Sequence, residues 1–216
     1  VQSTISRVPV VGEVRNATTS LILTTIEHNG DTLRLRSRVC DVRVESSSRM
    51  VRTEVPTAFV ESIAEQTIEA STAVSSGDVL IVGWQQVDVL GARLSDPLGE
   101  ALPDDPDDWR VMDPDRDGEP GVTVLVRGMV DGEIYLIQRG WSEWITTSVG
   151  ADRIAGYVDW AGEQQILGAS SVFLQTQPPT EPDPDHDSNR FELVRVDADA
   201  SCETVVDGAD DLFVDD

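Results

Sequence analysis

The chain has 216 residues, 39% of them hydrophobic, with a net charge of −24 and a pI near 4.1. So acidic a protein has no basic footprint to displace counterions from phosphates, and anionic bilayers repel it, which excludes nucleic acid and acidic membrane surfaces as partners. No run of 18 apolar residues occurs, so no membrane span is expected, and the length suits one large all-β domain.

All 16 basic residues are arginine, a sign of coding bias that a salty habitat would reinforce. The acid is unevenly placed. Residues 1–103 balance at −4 and residues 104–216 at −20. The chain opens at Val1 without a methionine, from which removal of a preceding segment is expected.

Weak alternation through Val8, Val10, Val11 and Val14 leads into a strand over residues 19–27. Asn29-Gly30 then signals a tight hairpin, because both residues tolerate positive φ. The return strand, residues 32–45, alternates at length. Leu33, Leu35, Ser37 and Val39 share one face, while Arg34, Arg36, Arg38 and Cys40 share the wet one. Ser46-Ser47-Ser48 reads as a loop. Pro56-Thr57 opens one short helix, with Thr57 as its cap and Phe59, Val60, Ile63 and Ala64 at helical spacing. A turn is expected at Ser75-Ser76-Gly77, and an extended run over 78–90. Residues 95–117 are rich in Pro, Asp and Gly, a loop that needs something such as a cation to order it.

The second half reads as hairpins. Strands are expected over 122–130, 133–139, 141–148, 153–160 and 163–175, with turns at Asp131-Gly132, Gly150-Ala151-Asp152 and Ala161-Gly162. Residues 178–189 form a compositional, mobile loop, and 191–196 a last strand. The expected fold is an all-β antiparallel barrel or sandwich with one short helix: a single domain over 1–196 and an acidic, partly disordered tail over 197–216 carrying Cys202. The layout resembles calycin-type barrels, although the lipocalin Gly-x-Trp opening is absent, Gly12-Glu13-Val14 standing in its place.

Cys40 and Cys202 are expected to pair, and Cys40's phase puts the bond near the outer surface or at a barrel end. The alternative is two buried thiols packed as small hydrophobes. Pairing favours an oxidising, extracytoplasmic location.

One stretch carries chemistry: Asp113-Pro114-Asp115-Arg116-Asp117-Gly118-Glu119-Pro120-Gly121. Carboxylates at alternate positions aim oxygens at one point, and the glycine turns the backbone so that the Glu119 carbonyl can join them. This D-x-D-x-D-G core resembles the calcium loops of EF-hands, dockerins and thrombospondin type 3 repeats. The resemblance implies Ca²⁺ held by Asp113, Asp115, Asp117 and the Glu119 carbonyl. The bidentate glutamate of an EF-hand is missing, since Val124 holds position twelve. Asp104, Asp105, Asp107 and Asp108 are candidates for the remaining ligands; the alternative is an acidic turn that binds nothing.

Only two histidines, His28 and His186, are present, and both fall in turns or loops, so neither a nucleophile–base pair nor a zinc site is expected. Glu133, Glu143 and Glu163 leave glycoside hydrolysis by paired carboxylates as a further alternative. Trp141, Trp144 and Trp160 suggest a carbohydrate- or small-ligand-binding module, with one of Trp141 and Trp144 exposed because they lie three apart on a strand. Asn16-Ala17-Thr18 matches a glycosylation sequon. The chain as a whole resembles acidic secreted or lipoprotein-type proteins of high-GC bacteria, which implies location and no activity. The leading expectation is a secreted or cell-surface, calcium-stabilised β domain with a structural or binding role and no catalysis. Its partner would be another surface protein, a polysaccharide or a small ligand.

Overall fold

The computed structural model describes residues 1–8, 11–75, 78–176 and 178–213, so Val10 and the last two residues of the expected Ser75-Ser76-Gly77 turn lie outside the described residues. The fold is antiparallel β, in two curled half-barrel sheets with three short helices. The first sheet contains β1 (Gln2–Val8), β2 (Gly12–Asn29), β3 (Thr32–Ser46), β5 (Gln66–Ser75), β6 (Asp78–Val82) and β11 (Thr180–Pro182), in the order β11-β1-β2-β3-β5-β6. The second orders β12 (Arg190–Val194), β10 (Arg153–Ala169), β9 (Gly132–Val149), β8 (Val122–Gly128) and β4 (Val51–Glu54), with β7 (Gln85–Leu90) also paired to β9.

Two seams join the sheets. On one side the Thr146 hydroxyl of β9 both accepts from Ile81 N and donates to Ile81 O. Just beyond, Trp144 N donates to Trp84 O, where the chain passes from β6 to β7 and so changes sheets. On the other side Arg190 N donates to Val1 O, and the Asn189 amide oxygen accepts from Ser3 N. The main core lies between the sheets: Leu33, Leu35, Ile68, Ala70 and Ile81 from the first meet Val158 and Phe191 on the second and Trp84 in the crossover between β6 and β7. Trp84 and Trp144 stack at 5.0 Å, and Phe191 meets both edge-on.

The β2–β3 hairpin turns at Gly30, whose φ is 66°, and the alternation in β3 holds, with Leu33 and Leu35 buried and Arg34, Arg36 and Arg38 exposed. The helix α1 (Thr57–Ser62) forms where expected and buries Phe59 and Val60, with Phe59 packed against Val122 and Leu136. Thr57 is not its cap, however. Pro56 holds that position without a side-chain bond, and its fixed φ starts the helix instead.

Two expected breaks do not occur. β9 runs unbroken through Gly140, and β10 through Ala161-Gly162, because these glycines face each other across the ladder. Paired along its whole length, neither strand gains by turning there. Residues 178–189 are likewise not a free loop. β11 pairs with β1, and Asn189 donates to the Asp183 and Asp185 carbonyls.

The tail also folds. Ser201 caps α2 (Cys202–Asp207) through a reciprocal capping box with Thr204, and α3 (Ala209–Leu212) follows. Val205 and Ala209 cover Leu21 and Leu23 on the outer face of β2. The Cys40–Cys202 disulfide holds this cover in place with a Cα separation of 5.1 Å. Among the described residues, no helix is long and apolar enough to cross a membrane.

Candidate functional site

The acidic loop follows β7 and precedes β8. Arg116 at φ 60° and Gly118 at φ 92° bend it back, and the Asp113 carboxylate accepts from Asp117 N at 3.2 Å and Gly118 N at 3.0 Å. Asp117 accepts from Glu119 N at 2.9 Å and from the Thr123 hydroxyl. Asp115 accepts from Thr123 N at 2.8 Å through Oδ2, while its Oδ1 is buried with no hydrogen-bond partner. Carboxylate oxygens of Asp113, Asp115 and Asp117 lie within 4.8 Å of one another. Burial, with the neighbouring Asp117 and Asp113, pushes the Asp115 carboxyl above its ordinary range, against the pull of the Thr123 amide. Three acids so close, one with an orphaned buried oxygen, make a cluster that a metal ion would neutralise. Glu119 is exposed beside it.

Asp104, Asp105, Asp107 and Asp108 do not join this cluster. Asp108 is held by Arg110, whose guanidinium lowers its pKa to about 2. Arg110 also bonds Glu100 at 3.0 Å, and Arg139 of β9 donates to the Pro97 and Glu100 carbonyls. Two arginines therefore organise the 95–110 segment with no need of a cation, a role the sequence reading missed. Their spacing in the chain gives no signal of it.

An open-mouthed cavity of about 1640 Å³ runs between the two sheets and out to the helical cover, where Leu21, Ala209 and Phe213 also line it; it is larger than common ligand sites of about 300–1,000 Å³. Its walls follow the register. Asp88, Gly140 and Gly162 form one cross-strand row over β7, β9 and β10, flanked by Gln86, Ser142 and Trp160 on one side and Leu90, Gln138 and Gln164 on the other. Opposite, Gln66, Ser37 and Thr24 form a row on the first sheet. The Gln66 amide reaches across to Asp88 Oδ1 at 2.8 Å, and Gln86 donates to Oδ2 at 2.6 Å. Burial raises the Asp88 pKa, with Gln86 opposing. In sequence, 78–90 reads only as an extended run, with no side chain assigned to a face. The structure turns Gln86, Asp88 and Leu90 to the cavity, so neither Asp88 nor the polar belt was found by pattern.

Trp141, Trp144 and Trp160 all border the cavity and none is fully exposed. Trp144 and Trp160 pack on the core, and the Trp160 indole donates to Asn189. The exposed tryptophan is Trp109, at 81%. Glu163 pairs with Arg139, Glu133 accepts from Tyr135, and Glu143 accepts from Gln85, so each has its own partner. Asn16 lies within β2 and borders the cavity, a poor position for a glycan.

Fold and site together define a class: an antiparallel half-barrel pair around a polar-belted lumen, with a disulfide-anchored helical cover and an acidic loop. Compared with family models, curated proteins and solved structures, the chain matches none of them.

Proposed function

We propose that the protein is a non-catalytic, extracytoplasmic binding domain that takes a small ligand between its two sheets and is stabilised by Ca²⁺ in its acidic loop. The observation that carries this reading is the 1640 Å³ cavity, with apolar ends and a middle belt of Gln66, Gln86, Asp88, Gln138, Ser142 and Gln164. Buried strand positions in a folded core are ordinarily apolar. A belt of amides and one carboxylate there suits water or ligand far better than packing.

Calcium is supported by the Asp113, Asp115 and Asp117 geometry and by the orphaned Asp115 Oδ1. The Cys40–Cys202 bond and the −24 charge support an extracytoplasmic setting. The arginine-only basic set supports a high-GC bacterial source. A polysaccharide platform is less favoured, because Trp144 and Trp160 are engaged in the core. Glycoside hydrolysis is less favoured too, because Glu133, Glu143 and Glu163 have separate partners.

Titration with Nile red, a neutral apolar dye, tests the lumen. A saturable single site with blue-shifted emission is expected, weakened in Gly140→Leu, which places a side chain in the lumen. A flat titration would refute it.

A further inference from the structure

We propose that the lumen recognises a protonated organic amine, its ammonium group seated on Asp88 and its aliphatic or aromatic body along the apolar walls. This rests on the lumen being a ligand site and adds the charge and chemistry of the ligand.

The register supplies the seat. Asp88 stands opposite Gly140, which stands opposite Gly162, so Asp88 alone in that row carries a side chain. A Cβ built on Gly140 would meet nothing within 4 Å, leaving open space beside the carboxylate. Both Asp88 oxygens are oriented by glutamine amides, and each keeps a lone pair for another donor. Among the described residues, no arginine or histidine forms an ion pair with Asp88, while Arg34, Arg43, Arg110 and Arg139 each pair with an acid elsewhere. Arg43, which reaches the cavity edge, is engaged by Asp41 at 2.7 Å.

The surroundings select the charge. The facing row, Gln66, Ser37 and Thr24, is neutral, and the Thr24 and Ser37 hydroxyls bond each other at 2.9 Å. A buried carboxylate without a cation is costly, and a ligand that brings the cation removes that cost. An anionic ligand would add repulsion, and a neutral one would leave the charge uncompensated.

The test uses two fluorescent probes at physiological salt: dansylcadaverine, a primary amine on a naphthalene body, and its N-acetylated, uncharged form. Wild-type protein is expected to bind the amine saturably and at least tenfold more tightly than the acetylated probe. Asp88→Asn should erase that difference by weakening only the amine, and Gly140→Leu should weaken both probes at least tenfold. Equal binding of the two probes to wild type would overturn the assignment of Asp88 while leaving the lumen as a ligand site. A tenfold amine preference that survives in Asp88→Asn would also overturn it, tracing the preference to the acidic exterior. If neither probe binds wild type, both this inference and the lumen reading fall. The wild-type probe pair decides the matter even if a variant folds poorly.

Discussion

Gln66 of β5 and Asp88 of β7 meet at 2.8 Å, a side-chain strut that ties the two sheets together beside their shared apolar core. Burial, opposed by Gln86, holds the Asp88 carboxyl above its ordinary pKa, so the folded state keeps its proton to higher pH than the unfolded chain. Ionisation of Asp88 therefore removes stability as pH rises from the ordinary carboxylate value through the raised one. Asp88→Asn is expected to raise the Tm at neutral pH, with the gain vanishing below the ordinary carboxylate range. Melting curves of both proteins across pH check this; a gain that grows on acidification would contradict it.

Calcium is expected to raise the Tm, with a Kd in the range of about 10⁻⁴ to 10⁻³ M typical of extracellular modules. At about 100 times Kd the increment is roughly 2.7 kcal/mol. Mg²⁺ should do less, and matched sodium chloride controls for screening of so acidic a chain. Since the Asp115 pKa is raised, protons compete with the ion, and the increment should shrink as pH falls through that raised value. Equal stabilisation of a variant carrying Asp115→Ala with Asp117→Ala would show the loop to be only an acidic turn.

Removing the disulfide through Cys40→Ser with Cys202→Ser should cost on the order of 2–5 kcal/mol, as the bond closes a 162-residue separation. Amide exchange should report the loss locally first, in α2 and α3. Two thiols labelled in the unreduced, denatured wild type would show that the bond does not form in solution.

Gly118 and Gly121 separate backbone strain from collision. Both have positive φ, but a Cβ on Gly118 meets nothing within 4 Å, whereas one on Gly121 would stand 2.2 Å from Leu136 O. Gly118→Ala should cost about 1–2 kcal/mol. Gly121→Ala should cost several kcal/mol, because the β8–β9 pairing has to shift as well. Chemical denaturation distinguishes them, and equal costs would contradict the close approach at Gly121.

Unfolding should be a single cooperative transition for both sheets, because the shared core draws Leu35 from one and Val158 from the other. Limited proteolysis should leave no fragment of residues 1–100 that folds alone. Recovery of such a fragment would indicate two independent units.

Much of this architecture could be read in the residues. Long alternation in β3 put Leu33 and Leu35 inside and Cys40 in phase with the arginines, and the disulfide does lie on the outer face. The Asp113–Asp115–Asp117 cluster followed from its spacing. Less visible was whatever depends on distant partners. Gly140 and Gly162 looked like breaks because each was read alone, whereas a glycine opposite a glycine simply thins the wall of a continuous ladder. The tail looked disordered by composition, because the few apolar residues it needs, Val205 and Ala209, only acquire meaning against Leu21, nearly 200 residues earlier. Asp88 was hidden in a run, 78–90, that reads only as extended.

The helical cover also sets a timetable for synthesis. The β2–β3 hairpin is complete by residue 46, yet Leu21 and Leu23 on its outer face wait for Val205 and Ala209 near the end of the chain. Until Val205 and Ala209 are made, Leu21 and Leu23 have no cover, the kind of apolar surface through which incomplete chains aggregate. The thiol of Cys40 sits on the neighbouring strand throughout, ready to capture Cys202 when it emerges. Oxidation is thus the latch that retires the exposed stripe, and a chain made in a reducing environment would depend on two very short helices to keep it shut.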